Sequence, residues 1–234
     1  MLGVSKKGGK FMKRIKLCDR LLPDYTHGEE IMNMITHIVG GSLGILALVL
    51  CLVKAMIGGN AAGVIGSAVY GGTMVCLYTV SSVYHGLKAS IGKKVMQIID
   101  HCTIYFLIAG TYTPILLGGF LPVYPGIGWG LMVGQWALCF LAATLTAIDL
   151  KAYNCFSMVC YIAMGWGIIL FIPQCIVVMG RVGFYWLLSG GIAYTIGAVL
   201  YGIGSRVRWM HSVFHIFVVI GSTLQFVAIV RYVL

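Results

Sequence analysis

Long apolar stretches alternate with short polar, glycine-bearing or proline-bearing interruptions along most of the chain. Seven stretches are long enough to cross a bilayer: Asn33–Val53, Ala61–His85, Gln97–Gly118, Gly126–Ile148, Tyr153–Cys175, Gly183–Ile203 and His211–Arg231. A spanning helix needs about 20 predominantly apolar residues. Between them lie Ile57-Gly-Gly-Asn, the segment from Gly86 to Met96, Phe120-Leu-Pro-Val-Tyr-Pro, Asp149-Leu-Lys, Met179-Gly-Arg and Gly204-Ser-Arg-Val-Arg. Lipid offers the backbone no hydrogen bonds, so only helices and closed barrels can span. Barrel strands are about 10 residues long with alternating polarity. These runs are longer and uniformly apolar, which predicts helices. The expected fold is an all-α integral membrane protein, a seven-transmembrane helix bundle.

Composition agrees with that pattern and narrows it. Hydrophobic residues make up 60% of the 234 residues and charged residues 9%, with a mean hydropathy of +0.97. A soluble domain carries roughly 25% charged residues. The chain lacks the polar groups to cover a water-facing surface, which excludes a soluble enzyme, a disordered protein and a nucleic-acid binder despite a net charge of +10. Half of the charge is crowded at one end, 11 of 22 charged residues falling in the first 30 positions. Residues 1–29 therefore read as a basic cytoplasmic segment and 30–234 as the membrane domain. With the N-terminus cytoplasmic, 13 Lys and Arg lie on inner segments and 3 (Lys54, Arg181, Arg231) on outer ones. The positive-inside rule then predicts N-terminus inside and C-terminus outside, in the cell membrane.

The basic segment has a pattern of its own. Phe11, Ile15, Cys18 and Leu22 recur at helical spacing with Lys and Arg between them. This suits either a short helix on the anionic inner leaflet or a basic anchor without fixed structure. The first long apolar run begins near Ile31, too far in and too long for a signal peptide. Eight cysteines form no CxxC pair, so they read as small packing residues rather than a disulfide or metal framework. The pairs Gly40/Gly44 and Gly59/Gly63 and the series Gly126/Gly130/Gly134 have the small-xxx-small spacing that lets helices approach closely in lipid.

Ionisable groups inside spans are costly and mark sites by default. The first span begins Glu30, Asn33, His37; the second ends Ser81-Ser-Val-Tyr-His85; the third begins Asp100-His101; the last begins His211-Ser-Val-Phe-His215. Ser81 and His85 share a helix face, as do His211 and His215, and Glu30, Asn33 and His37 form a third stripe. In the expected topology all of them lie in the cytoplasmic half. Two histidines one turn apart can hold zinc from one helix, and a catalytic zinc takes three protein ligands. His85 is the candidate third ligand, Asp100 the candidate general base and then acid, and Ser81 a partner for that carboxylate or for an oxyanion. Intramembrane histidines also serve as proton relays, and spacing leaves both readings open. Glu30, Asn33 and His37 read as supporting residues or an access vestibule, bonding between helices rather than binding metal. His101 is expected to pack against another helix, about 100° from Asp100. His27 and Asp149 read as solvated loop residues.

Taken in order, Glu30-x-x-Asn33-x-x-x-His37, Ser81-x-x-x-His85, Asp100-His101-x-x-Ile104-Tyr105 leading into Ala109-Gly-Thr-Tyr-Thr-Pro114, and His211-x-x-x-His215 resemble the hemolysin III family. This is the bacterial branch of the progestin and adipoQ receptor group, similar in its polar residues to alkaline ceramidases. The resemblance runs from about Glu30 to the end of the chain. It implies a seven-helix bundle with a cytoplasmic N-terminus and zinc held by His85, His211 and His215, with Asp100 and Ser81 close by. Three roles follow from it: a zinc-dependent hydrolase of lipid amides or esters that adjusts membrane lipid composition, a channel or pore-forming cytolysin, and a receptor or sensor with structural zinc.

Overall fold

Thr26 opens the first helix with a reciprocal cap: its hydroxyl accepts from the Glu29 amide and the Glu29 carboxylate accepts from the Thr26 amide. This capping box supplies the amide partners that a helix start otherwise lacks. The computed structural model describes residues 16–204 and 206–234, and those residues form α1 (His27–Ile57), α2 (Ala61–Gly86), α3 (Ile91–Pro114), α4 (Pro125–Ile148), α5 (Asn154–Trp166), α6 (Ile172–Gly204) and α7 (Met210–Tyr232). No strand occurs among the described residues. Six helical stretches are long and apolar enough to cross a membrane.

Side-chain caps set the first three starts. Asn60 caps α2 through the Gly63 amide, and Ser90 caps α3 through the Lys93 amide. The expected interruption from Gly86 to Met96 is therefore shorter than its sequence suggests, because Ser90 lets α3 begin at Ile91. The Phe120-Leu-Pro-Val-Tyr-Pro interruption also shrinks. Beyond Pro114 the chain continues as a π-helical stretch, Ile115–Phe120, and a last helical turn, Leu121–Val123. Proline removes one backbone donor from the ladder, and widened turns accommodate such a defect. At the other end, Leu17–Asp19 forms one 3-10 turn. The rest of the expected amphipathic stretch, Phe11 and Ile15 included, lies outside the described residues.

The fifth and sixth expected spans fall in one 51-residue stretch, Asn154–Gly204. It changes to 3-10 geometry over Gly167–Phe171 and breaks at Gly180 (φ 70°, ψ 165°). The Tyr112 hydroxyl supports the first change, donating to the Gly165 carbonyl at 3.1 Å and accepting from the Ile168 amide at 2.9 Å. At the break the chain folds back, since Trp166 Nε1 donates to Thr195 Oγ1 at 3.0 Å. Twenty-nine residues of unbroken helix would hold those groups about 44 Å apart.

In the assembled bundle α1 packs on α2 and α7, α2 on α3, α3 on α4, and α6 on α7. Close contact is made at glycines. Gly40 faces the Tyr78 ring and Gly44 faces Val75, so that expected pair does join α1 to α2. Gly183, Gly190 and Gly197, seven apart, seat α6 against Tyr232, Gln225 and Phe214 of α7. The Gly126/Gly130/Gly134 series does not do this: among the described residues nothing lies within 4 Å of a Cβ placed at any of the three. Gly59 (φ 63°) is a turn residue rather than half of a packing pair.

Candidate metal centre

The end of α2 and the beginnings of α1, α3 and α7 meet at one end of the bundle, so the four polar stripes read from the sequence converge. Ligand nitrogens of His85, His211 and His215 lie within 4.8 Å of one another, and all three side chains are buried. His211 Nε2 and His215 Nε2 are 3.1 Å apart. Two nitrogens on one tetrahedral zinc stand about 3.3 Å apart, given Zn–N bonds of about 2.05 Å. His85 Nε2 is buried without a hydrogen-bond partner. Three imidazoles, two of them with an orphaned buried nitrogen, fit the donor set of a zinc site.

The supporting stripe on α1 divides its work. Glu30 Oε2 meets His85 Nδ1 at 2.6 Å, and Asn33 Nδ2 lies 3.5 Å from the same nitrogen. The shorter contact sets the tautomer: His85 Nδ1–H donates to the carboxylate, which leaves Nε2 with a free lone pair. His37 does not bond between helices. Its ring stacks on His215 with centroids 3.8 Å apart and meets the Tyr78 ring edge-on, and both of its nitrogens lack partners.

On α3 the Asp100 carboxylate accepts a hydrogen bond from Ser81 of α2. His101 turns away from Asp100, as the helix geometry predicts. Its Nδ1 donates to the Gln97 carbonyl at 2.8 Å and its Nε2 accepts from the Tyr201 hydroxyl of α6 at 3.3 Å. Asp149 accepts from the Lys151 and Ala152 amides in a tight turn. His27 is exposed as expected, but it is the first residue of α1 rather than part of a loop.

Three neighbours escaped the sequence reading. Tyr25 stacks on His211 with centroids 4.8 Å apart and tilts against His85 at 5.9 Å, covering the cluster from outside α1. Burial, with Tyr201, Glu30 and Asp100 nearby, pushes its phenol above the ordinary range and keeps it neutral. Trp209, in a left-handed conformation (φ 68°), donates its amide to Glu29 Oε1 at 2.6 Å. That contact ties the turn before α7 to the start of α1 and offsets the backbone strain. Lys93 lies 2.6 Å from Glu30 Oε1. Its position seven residues before Asp100 puts both on one face of α3, and that relation was readable beforehand.

A cavity of about 180 Å³ opens against this cluster. Ser81, Asp100, His211 and His215 line it, and Leu107 of α3 and Ile115 of the π-helical stretch continue the wall. From Asp100 to Ile115 the helix rises about 22 Å. A mostly apolar cavity with Ser81, Asp100, His211 and His215 among its few polar side chains has the usual form of a small-molecule site.

A sequence model described as haemolysin-III related matches residues 25–226, starting at the tyrosine that covers the cluster. The chain is 36% identical over 206 residues to "Hemolysin-3" of Bacillus cereus, covering 88% of this chain and 92% of that protein. It is 35% identical over 208 residues to "Hemolysin-3 homolog" of Bacillus subtilis, covering 89% and 96%. The human "Monocyte to macrophage differentiation factor" is more distant, 25% identical over 70% of this chain and 68% of its own length. Six apolar spans, the converging histidine, aspartate and serine motifs and the match over most of its length place the chain in the haemolysin-III related family of multi-pass membrane proteins.

Proposed function

We propose that the protein is a zinc-dependent hydrolase of lipid amides or esters, acting from the cytoplasmic half of the cell membrane on membrane lipid composition. The observation that carries this reading is the cluster of His85, His211 and His215, of which His211 and His215 line the same mostly apolar cavity as Asp100. A zinc ion there would supply Lewis acidity and lower the pKa of water to about 7.

The chain's own residues account for the rest. His85, His211 and His215 would hold the ion, with His85 oriented by Glu30. Asp100, positioned by Ser81, takes a proton from the attacking water on its carboxylate and returns it to the leaving amine or alkoxide. The apolar wall along α3 receives a hydrocarbon chain and aligns the carbonyl with the polar end.

Seven crossings fit this reading. The 51-residue stretch would be about 76 Å long as one helix, against roughly 30 Å of hydrocarbon. A reversal at Gly180 would divide it into two spans; an odd number of crossings leaves the termini on opposite sides, and the Lys and Arg bias would then put the N-terminus inside and the C-terminus outside. The basic N-terminal segment then lies against the anionic inner leaflet.

The decisive test is hydrolysis of lipid amides and esters by pure, zinc-loaded protein in lipid, beside Asp100→Ala. Zinc-loaded protein without turnover on either class overturns the hydrolase reading and favours a receptor with structural zinc. The name hemolysin carried by the Bacillus relatives favours a second reading, a pore-forming cytolysin. Conductance in planar bilayers that survives His85→Ala would support it and detach it from the metal.

A further inference from the structure

Lys93 stands out as a buried ammonium outside the motifs that define the site. It is 5% exposed, on the first turn of α3, and it grips two things at once. Its Nζ donates to Glu30 Oε1 at 2.6 Å and to the Leu87 carbonyl at 2.9 Å. Glu30 presents its other oxygen to His85 Nδ1. Leu87 is the residue that ends α2, two beyond His85. The ammonium also sits 5.3 Å from the centre of the Tyr84 ring, next to His85 in the chain. Each of these ammonium contacts thus bears on the last turn of α2, directly or through Glu30.

We propose that Lys93 is a positioning residue for the metal centre: through Glu30 and the end of α2 it holds the His85 ring with Nε2 turned into the three-histidine cluster, and so raises the affinity of the site for zinc without touching it. This rests on the metal-site reading above. A carboxylate bonded to a histidine fixes both its tautomer and its ring plane. That carboxylate needs anchoring of its own, since an uncompensated charge at this depth is costly. With Lys93 gone, Glu30 Oε1 loses its partner, the carboxylate is free to rotate, and His85 loses its bearing.

A purely Coulombic account predicts the opposite sign. Lys93 is a positive charge near a cation site, so its removal alone would tighten zinc binding. Direction as well as size therefore separates the two explanations.

The test is zinc affinity of the full-length protein in detergent, stripped of metal and titrated against a chromophoric chelator. Wild type is compared with Lys93→Met, Lys93→Arg, Glu30→Gln and the Lys93→Met/Glu30→Gln double variant. The melting temperature of each metal-free protein is measured alongside. The expected result is a loss of about tenfold or more in Lys93→Met, largely recovered in Lys93→Arg. The double variant is expected to bind no more weakly than Glu30→Gln alone, because both changes cut one chain of contacts. Wild-type or tighter affinity in Lys93→Met overturns the proposal, as does a double variant in which the two losses multiply. A metal-free melting temperature that falls while affinity holds assigns Lys93 to fold stability and also overturns it. If Lys93→Met does not fold, Glu30→Gln is read in its place, and wild-type affinity there overturns it. Wild-type protein that binds no zinc at all defeats the metal centre itself, a result distinct from any of these.

Discussion

Helix α7 carries two buried polar groups seven to eleven residues apart, and they are built on opposite principles. At Ser222 the hydroxyl is bonded by Tyr78 of α2 and Tyr194 of α6, each at 2.7 Å. Tyr78 also reaches the Val218 carbonyl, and Tyr70 the Ser222 carbonyl. No side-chain atom of that hydroxyl network is among the buried atoms left without a partner. At His211 and His215 the opposite holds. His85 Nε2, His215 Nδ1, both nitrogens of His37 and Asn33 Oδ1 are buried and unpartnered. A closed network pins helices together in a medium that offers no water. A cluster with unpartnered nitrogens at the same cost of burial is an arrangement that a metal ion could complete.

Breaking the open cluster should give the largest effect. His215→Ala is expected to lower bound zinc from about one per chain to near none, read by elemental analysis of purified protein. A chelator should lower the melting temperature of wild type but leave His215→Ala unmoved, because only the former has a ligand to lose. Ser222→Ala, by contrast, should keep its zinc.

Next comes Asp100→Ala, expected to retain zinc while turnover on a lipid amide or ester falls by about 10²–10⁴. Zinc lost along with activity would place Asp100 among the ligands instead and blur the division between holding and reacting groups.

Breaking the closed network should cost stability alone. Ser222→Ala removes the acceptor of two buried phenols, worth about 1–3 kcal/mol. Unfolding in detergent should show that loss with unchanged zinc affinity. A fall in zinc affinity instead would mean that the two regions are one coupled unit.

The smallest effect should come from Tyr25. Tyr25→Phe keeps the stack on His211 and should be near neutral. Tyr25→Ala removes it and should cost about 0.5–1.5 kcal/mol in the stability of the zinc-loaded protein. Equal effects of the two would assign the contribution to the phenol hydroxyl rather than to the ring.

Much of this was legible in one dimension. Apolar run length marked α2, α4 and α7 to within one residue at each end. It missed the starts of α1 and α3, because there a cap decides: Thr26 with Glu29 begins α1 at His27, and Ser90 begins α3 at Ile91. The pairs Ser81/His85 and His211/His215 were placed on their helix faces by spacing alone. Spacing found the Gly40/Gly44 contact but misjudged other glycines. Gly126, Gly130 and Gly134 have the right interval on a face that meets none of the described residues, whereas Gly183, Gly190 and Gly197 form a seam at an interval of seven.

Hydropathy and helical period are local properties, so the chain alone determined that it lies in a membrane, where its helices run and which polar groups share a face. Which face meets which is a property of the bundle, settled by shape at glycines and by the need of each buried polar atom for a partner. Only the tertiary structure brought His85 to His211 and His215, stacked His37 on His215, laid Tyr25 over the cluster and joined Lys93 to His85 through Glu30. Residues 63 positions apart carry no mark of each other until folding removes the water that would otherwise have satisfied them.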